Sequence, residues 1–200
     1  MLSLIIISGR SGSGKSTALH VLEDMGYYCI DNLPVSLLPP LIERLSLDQQ
    51  TDRVSVSIDA RNLPRDLEQV EQLLRQIPDT VQSQIIFLDS ASPTLVKRYS
   101  ETRRKHPLSN EQRGLREALD YESELLAPLA EMAALNLDTT QLNIHQLRDE
   151  IRGRVAPNQQ GFALLFVGFD AFRLAGFCTW RKFHFIPYDL IVNAELRQDI

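Results

Sequence analysis

Leu4-Ile5-Ile6-Ile7-Ser8-Gly9-Arg10-Ser11-Gly12-Ser13-Gly14-Lys15-Ser16 is the stretch on which the reading of the whole chain turns. Leu4 to Ile7 form a bulky, mostly β-branched run of the kind that lies buried in a parallel sheet, and Gly9 ends it. From Lys15 onward the period changes: Ala18, Leu19 and Leu22 recur at helical spacing, and Gly26 supplies a helix stop. Between strand and helix, Gly9-Arg10-Ser11-Gly12-Ser13-Gly14-Lys15-Ser16 fits G-x-x-x-x-G-K-[ST] without a gap, in the setting that pattern requires.

Each part of this P-loop pattern has a physical reason. Gly9, Gly12 and Gly14 allow the chain to curl so that successive N–H groups converge on an anion. A helix starting at about Lys15 turns its partial positive end toward the same point. Lys15 can then reach the β- and γ-phosphates of a bound nucleotide, and the Ser16 hydroxyl can ligate Mg²⁺. A glycine-rich turn that binds nothing is the alternative, and the number of constrained positions argues against it.

Outward from this point, strand alternates with helix. Tyr27 to Ile30 reads as a second strand, closed by the turn Asp31-Asn32-Leu33-Pro34. A helix through Leu37, Leu38, Leu41, Ile42 and Leu45 follows, with Pro39 and Pro40 fixing or breaking its first turn. Val54, Val56 and Ile58 form a third strand ending at Asp59, and Leu67, Val70, Leu73 and Leu74 a helix. Ile85 to Leu88 is a fourth strand ending at Asp89, followed by a helix from Pro93 to about Ser100. Residues 111–130 are helical by periodicity, Leu135-Asn136-Leu137 is a weaker strand, and a helix runs through Ile144, Leu147 and Ile151. The expected fold class is α/β: a P-loop NTPase three-layer sandwich with a mostly parallel sheet, nucleotide-kinase-like. Residues 1–153 are expected to form the nucleotide-binding domain. After Gly153 the stretch Pro157–Gly161 reads as a linker or sharp turn, and an aromatic-rich tail follows, so 154–200 reads as a divergent remnant of a linker or C-terminal domain.

Composition sets the bounds. The chain has 200 residues, is 44% hydrophobic and 24% charged, and carries a formal net charge of −5, which disfavours a global electrostatic grip on nucleic acid or anionic membrane. Two cysteines, Cys29 and Cys178, are too few for a disulfide framework or a four-thiolate zinc site. No signal peptide or membrane span is legible, so a soluble cytoplasmic protein is the default expectation. Cys29 reads as a small core residue. His20, His106, His145 and His184 lack metal-ligand spacing, and the aromatics from Phe162 onward read as core or interface material.

A triphosphate site also needs a carboxylate near the magnesium, at the end of a neighbouring strand. In the nucleotide-kinase type of sheet the third strand lies beside the first, which favours Asp59. Asp89 and Asp31 stay open as candidates, and helix capping or turn formation is the ordinary role for each of the three. The run Lys97-Arg98-Tyr99-Ser100-Glu101-Thr102-Arg103-Arg104-Lys105-His106 is basic within an acidic chain. It is either a solvated helix face or a segment whose Arg103 and Arg104 neutralise phosphate charge.

Four separated motifs occur in one order: ISGRSGSGKS at 7–16, LEDMGYYCIDNLP at 22–34, SIDARN at 57–62 and RYSETRRKHPL at 98–108. Together they resemble the RapZ/YvcJ family of bacterial P-loop nucleotide-binding proteins over about residues 1–153. The resemblance implies binding of ATP through Gly9 to Ser16 and of GTP, with Asp59-Ala60-Arg61-Asn62 matching the family's second nucleotide-associated motif. It further implies weak hydrolysis of both nucleotides and, in the RapZ branch, delivery of a small regulatory RNA to an endoribonuclease. Family chains continue well past residue 200, and RNA is handled mainly by their C-terminal part. The expectation is thus a slow ATP/GTP hydrolase with Mg²⁺, in which Lys15, Ser16, Asp59, Arg103 and Arg104 do the chemistry and Ser16 and Asp59 hold the metal. A regulatory RNA or protein partner and homo-oligomerisation come with the resemblance. The alternatives are a small-molecule or nucleotide kinase and a purely regulatory adapter.

Overall fold

The computed structural model describes residues 2–48, 51–62, 66, 67, 69–102 and 104–155. Arg103, His184, Cys178, the linker after Pro157 and the aromatic tail lie outside the described residues. In chain order the elements are β1 (Leu2–Gly9), α1 (Lys15–Asp24), β2 (Tyr28–Ile30), a 3-10 turn (Val35–Leu37), α2 (Leu38–Ser46) and β3 (Arg53–Ser57). Then come α3 (Val70–Leu74), β4 (Val81–Asp89), α4 (Ser92–Thr102), α5 (Leu115–Met132), β5 (Leu135–Asp138) and α6 (Ile144–Val155). The compact unit they build ends at Arg154.

The five strands form one sheet in the order β2-β3-β1-β4-β5, and every pairing is parallel. A parallel pair cannot be closed by a hairpin, so each connection crosses over the sheet, and helices cover both faces. Alternation along β1 divides the core. Leu4 and Ile6 join Val54, Val56, Ile85 and Phe87 beneath Leu38, Ile42, Val70, Leu74, Leu126 and Leu129, contributed by α2, α3 and α5. Ile5 and Ile7 point the other way, and α1 packs on that face against β1, β2 and β3. This is the three-layer α/β sandwich the sequence predicts.

Boundaries moved where side-chain pattern and backbone pairing part company. β1 and β4 are longer than their apolar runs because pairing continues from Leu2↔Val81 to Gly9↔Leu88. Helix α5 begins at Leu115 rather than at 111, with the Gly114 N–H donating to Glu117 Oε2 at 2.9 Å. Pro39 and Pro40 sit in the first turn of α2 and do not break it, since no intrahelical donor is needed there. At the end of α1, Gly26 takes φ 86°; its N–H bonds Glu23 O and that of Tyr27 bonds Leu22 O, a Schellman stop.

Candidate active site

All five strands point their C-terminal ends the same way, and the side chains named above collect at that edge. The curl between β1 and α1 begins at Gly9, with φ 140° and so little room that a Cβ there would lie 1.9 Å from the Leu88 carbonyl oxygen. Gly14, at φ 112°, precedes α1, whose N-terminus receives no side-chain cap. Uncapped helix-start donors beside a curl of this kind suit an anion. The Ser13 hydroxyl is buried there without a protein partner. Lys15 is 9% exposed, and its ammonium donates to Gly9 O at 2.7 Å and to Arg10 O at 3.3 Å. Burial pulls its pKa below the ordinary lysine value, and the charges of Glu122 and Asp59 oppose that pull. A polyanion with its cation is the group this cradle fits.

Brace residues hold the outside of the curl. Arg10 does not face the cleft: its Nε donates to Asp89 Oδ1 at 2.7 Å, and its Nη atoms reach Ser92 Oγ and Ser90 O. That pairing also gives Asp89 a partner at the end of β4. Arg98 donates to Gly12 O at 2.9 Å and to Thr139 O at 2.7 Å, while the Thr139 hydroxyl donates to Ser13 O at 2.8 Å. The curl is thereby fixed to α4 and to the end of β5.

Beside β1, the exit of β3 brings up Asp59. Its carboxylate accepts the Arg61 backbone N–H at 2.9 Å and the guanidinium, with Nη2 to Oδ2 at 2.6 Å. Burial alone would raise the pKa of Asp59; the Arg61 hydrogen bonds and the Lys15 charge outweigh it and hold the pKa below the ordinary carboxylate value. Asn62 turns inward instead. Its Oδ1 accepts the Val35 N–H at 2.7 Å and its Nδ2 donates to Leu33 O and Asp59 O. Ala60 is core. The Asp31-Asn32 turn is pinned to β3 by Ser57, whose hydroxyl donates to Asp31 Oδ1 at 2.6 Å and accepts the Asn32 N–H at 2.7 Å.

Two residues outside the expected set stand directly behind the curl. Glu122, fully buried on α5, accepts the Ser11 N–H at 2.9 Å and the Ser11 hydroxyl at 2.6 Å. His106 Nε2 lies 3.0 Å from the same carboxylate, and His106 Nδ1 accepts the Leu108 N–H at 3.1 Å. The ring proton is therefore on Nε2, and a neutral histidine donates to an ionised glutamate. Burial would raise the Glu122 pKa, but the His106 bond, the Lys15 charge and the Ser11 donors together lower it.

These parts enclose a cleft of about 940 Å³. Its walls include Ser11 to Ser16 and Thr17 from the curl and α1, Asp31, Asp59 and Arg61 from the β2 and β3 exits, and Arg98, Arg104 and Lys105 from α4 and beyond. Ser16, Asp59 and Arg104 of the expected chemistry residues thus share one space with Lys15, whereas Gly9, Arg10, Ala60 and Asn62 support it from behind. Among the described residues no group of three or more His, Cys, Asp or Glu side chains is placed to hold a metal ion. A cation here would be shared between Ser16, Asp59 and the bound anion's own oxygens. No described helix is long and apolar enough to cross a membrane.

Known proteins match this arrangement at two levels. The fold resembles the shikimate kinase of Acinetobacter baumannii, solved with shikimate (TM-score 0.52, 17% identity, 80% of this chain and 96% of that one). It likewise resembles a gluconokinase of Sinorhizobium meliloti (TM-score 0.52, 20% identity, 77% and 91%). In sequence, a nucleotide-binding protein of Pseudomonas aeruginosa is 55% identical over 157 residues, 77% of this chain and 55% of that protein. One of Hahella chejuensis is 53% identical over 173 residues, 84% of this chain and 60% of that protein. The chain therefore spans a little over half the length of these relatives. The model of the RapZ-like N-terminal domain matches residues 2–159, and the chain belongs to that family.

Proposed function

We propose that the chain binds ATP or GTP with Mg²⁺ in the cleft at the start of α1 and hydrolyses the terminal phosphate slowly. The observation that carries this reading is the uncapped, glycine-built curl with Lys15 stored on its carbonyls, Gly9 O and Arg10 O. An incoming phosphate offers the ammonium better acceptors within reach, and the uncapped amides at the start of α1 face the same anion. Ser16 and Asp59, directly or through water, would hold Mg²⁺, which neutralises charge on the phosphate oxygens. Arg104 lines the cleft and, with Arg103, adds positive charge as the terminal phosphate leaves.

The state of Asp59 supports the reading of slow turnover. A base that activates water needs a free lone pair and a pKa near the working pH. Asp59 is gripped by Arg61 on both oxygens and held at lowered pKa, which makes it a poor base. Transfer to a small acceptor is the second reading. It draws on the cleft volume of about 940 Å³, near the top of the roughly 300–1,000 Å³ range of ligand sites. By family resemblance, nucleotide occupancy would further switch contact with a regulatory RNA or protein.

Equilibrium titration with ATP and GTP, with and without Mg²⁺, tests the reading on the wild type and on Lys15→Ala. The substitution is expected to weaken binding roughly a hundredfold, about 2.7 kcal/mol, because a buried charge contact to phosphate is lost. Equal binding by the two proteins sinks the assignment. Phosphate release without transfer, over a panel of hydroxyl acceptors, separates hydrolase from kinase.

A further inference from the structure

Glu122 occupies a position on α5 whose helical neighbours on the buried face are Ala118, Leu119, Leu126 and Leu129. A carboxylate on such a face is costly unless donors match its charge, and among the described residues they come from two places. Ser11 supplies its N–H and its hydroxyl; His106 supplies Nε2–H. Ser11 is one residue from Arg10, pinned to Asp89, and one from Gly12, whose carbonyl Arg98 holds. His106 is two residues from Arg104, and its own carbonyl accepts the Ser109 N–H and hydroxyl. The Tyr99 ring lies 5.3 Å from the His106 ring, and its edge faces Gly12, where a Cβ would meet it at 3.6 Å. Glu122 is absent from the cleft wall, so it does not touch a ligand held there.

We propose that Glu122 is a positioning residue of the phosphate curl, gripping Ser11 by amide and hydroxyl and, through His106, fixing the segment whose Arg104 and Lys105 wall the same cleft. This inference rests on the reading of the cleft as a nucleotide site. With Ser11 turned back onto Glu122, the curl's rim is held before a ligand arrives, and the ordering cost of binding is reduced. The same carboxylate sets the base from which the basic segment reaches over the phosphates.

Glu122→Gln tests it. The carboxamide keeps the volume but not the charge: its oxygen can keep the Ser11 N–H and His106, while its NH₂ faces the Ser11 hydroxyl, which must turn from donor to acceptor, so the charge-assisted grip on Ser11 is lost. Binding of Mg²⁺–ATP is expected to weaken roughly tenfold. Amide hydrogen exchange should accelerate at Ser11 and Leu108 while β1 and β4 keep wild-type protection. His106→Gln, which retains a donor toward Glu122, should bind ATP more tightly than His106→Phe. If Glu122→Gln fails to fold, Ser11→Ala carries the test: it removes the hydroxyl bond alone and should weaken binding severalfold. Wild-type affinity in a folded Glu122→Gln protein overturns the proposal, as does a loss of protection spread evenly over the sheet. If the wild type itself binds neither nucleotide, the functional reading falls first, and this inference with it.

Discussion

Two turns lie side by side at the carboxyl edge of the sheet, and they are made in opposite ways. The curl from Gly9 to Ser16 is shaped by backbone: three glycines at positive φ, an uncapped helix start and a lysine bonded to main-chain oxygens. The turn from Asp59 to Asn62, which follows β3 next door, is shaped by side chains: Arg61 folded onto Asp59, and Asn62 reaching Val35 and Leu33. A backbone-built site is defined by what its residues must lack, a Cβ or a cap. A side-chain-built site is defined by which partner each group finds. The first kind tolerates almost no substitution at its glycines, and the second divides its positions between cleft and support.

Gly9→Ala should break the curl with the largest effect. The added Cβ would meet the Leu88 carbonyl oxygen at 1.9 Å, and that oxygen is backbone within the β1–β4 ladder, where Gly9 pairs with Leu88. Relief would require two central strands to separate, so a loss of at least about 3 kcal/mol is expected in urea unfolding. Gly12→Ala meets only Leu95 and Tyr99 side chains, at 3.5 Å and beyond, and should cost about 1–2 kcal/mol through its positive φ. If both cost the same, the close approach of β4 is not what fixes Gly9.

Asn62→Ala is the corresponding break in the neighbouring turn. It strands the buried Val35 N–H and takes the side-chain donor from the Leu33 carbonyl, while the Asp59 carbonyl keeps the backbone N–H of residue 62, and it should cost about 2 kcal/mol of stability. Nucleotide affinity should change far less than in Lys15→Ala, because Asn62 is not on the cleft wall. A large affinity loss at unchanged urea midpoint would instead place Asn62 against the ligand.

The difference between the turns also explains how much was legible from sequence. The curl follows from a local glycine pattern and strand–helix rhythm, and the adjacency of β3 to β1, which brings Asp59 toward Ser16, from the type of sheet that pattern implies. Arg10 was readable only as a member of the curl, since nothing nearby shows that its guanidinium spans to Asp89, 79 positions away. Ala60 and Asn62 carry the family motif, yet a motif does not say which residues face the ligand and which hold the turn. Among the basic residues, Arg104 is on the cleft wall as the charge run suggests, but Arg98 braces Gly12 and Thr139, a role charge counting cannot assign. Glu122 did leave a signal: it is a lone acid on the Ala118, Leu119, Leu126, Leu129 face of a long amphipathic helix. Its partners Ser11 and His106 lie 111 and 16 positions away, and only the fold brings them together.

Arg61 sharpens the comparison at its small end. Its side chain is 46% exposed, so water and salt screen the pair with Asp59, and Arg61→Ala should cost no more than about 1 kcal/mol of stability. The informative quantity is the magnesium requirement. Arg61 occupies both oxygens of Asp59, and a cation approaching that carboxylate must compete with the guanidinium. Removing it should lower the Mg²⁺ concentration at which ATP binding is half-maximal by severalfold, read by titration at fixed nucleotide. Weaker ATP binding at saturating Mg²⁺ would mean that the guanidinium itself grips phosphate. In that case the turn after β3 contributes charge to the ligand directly, and the division between a backbone-built cradle and a side-chain-built metal shelf would have to be redrawn.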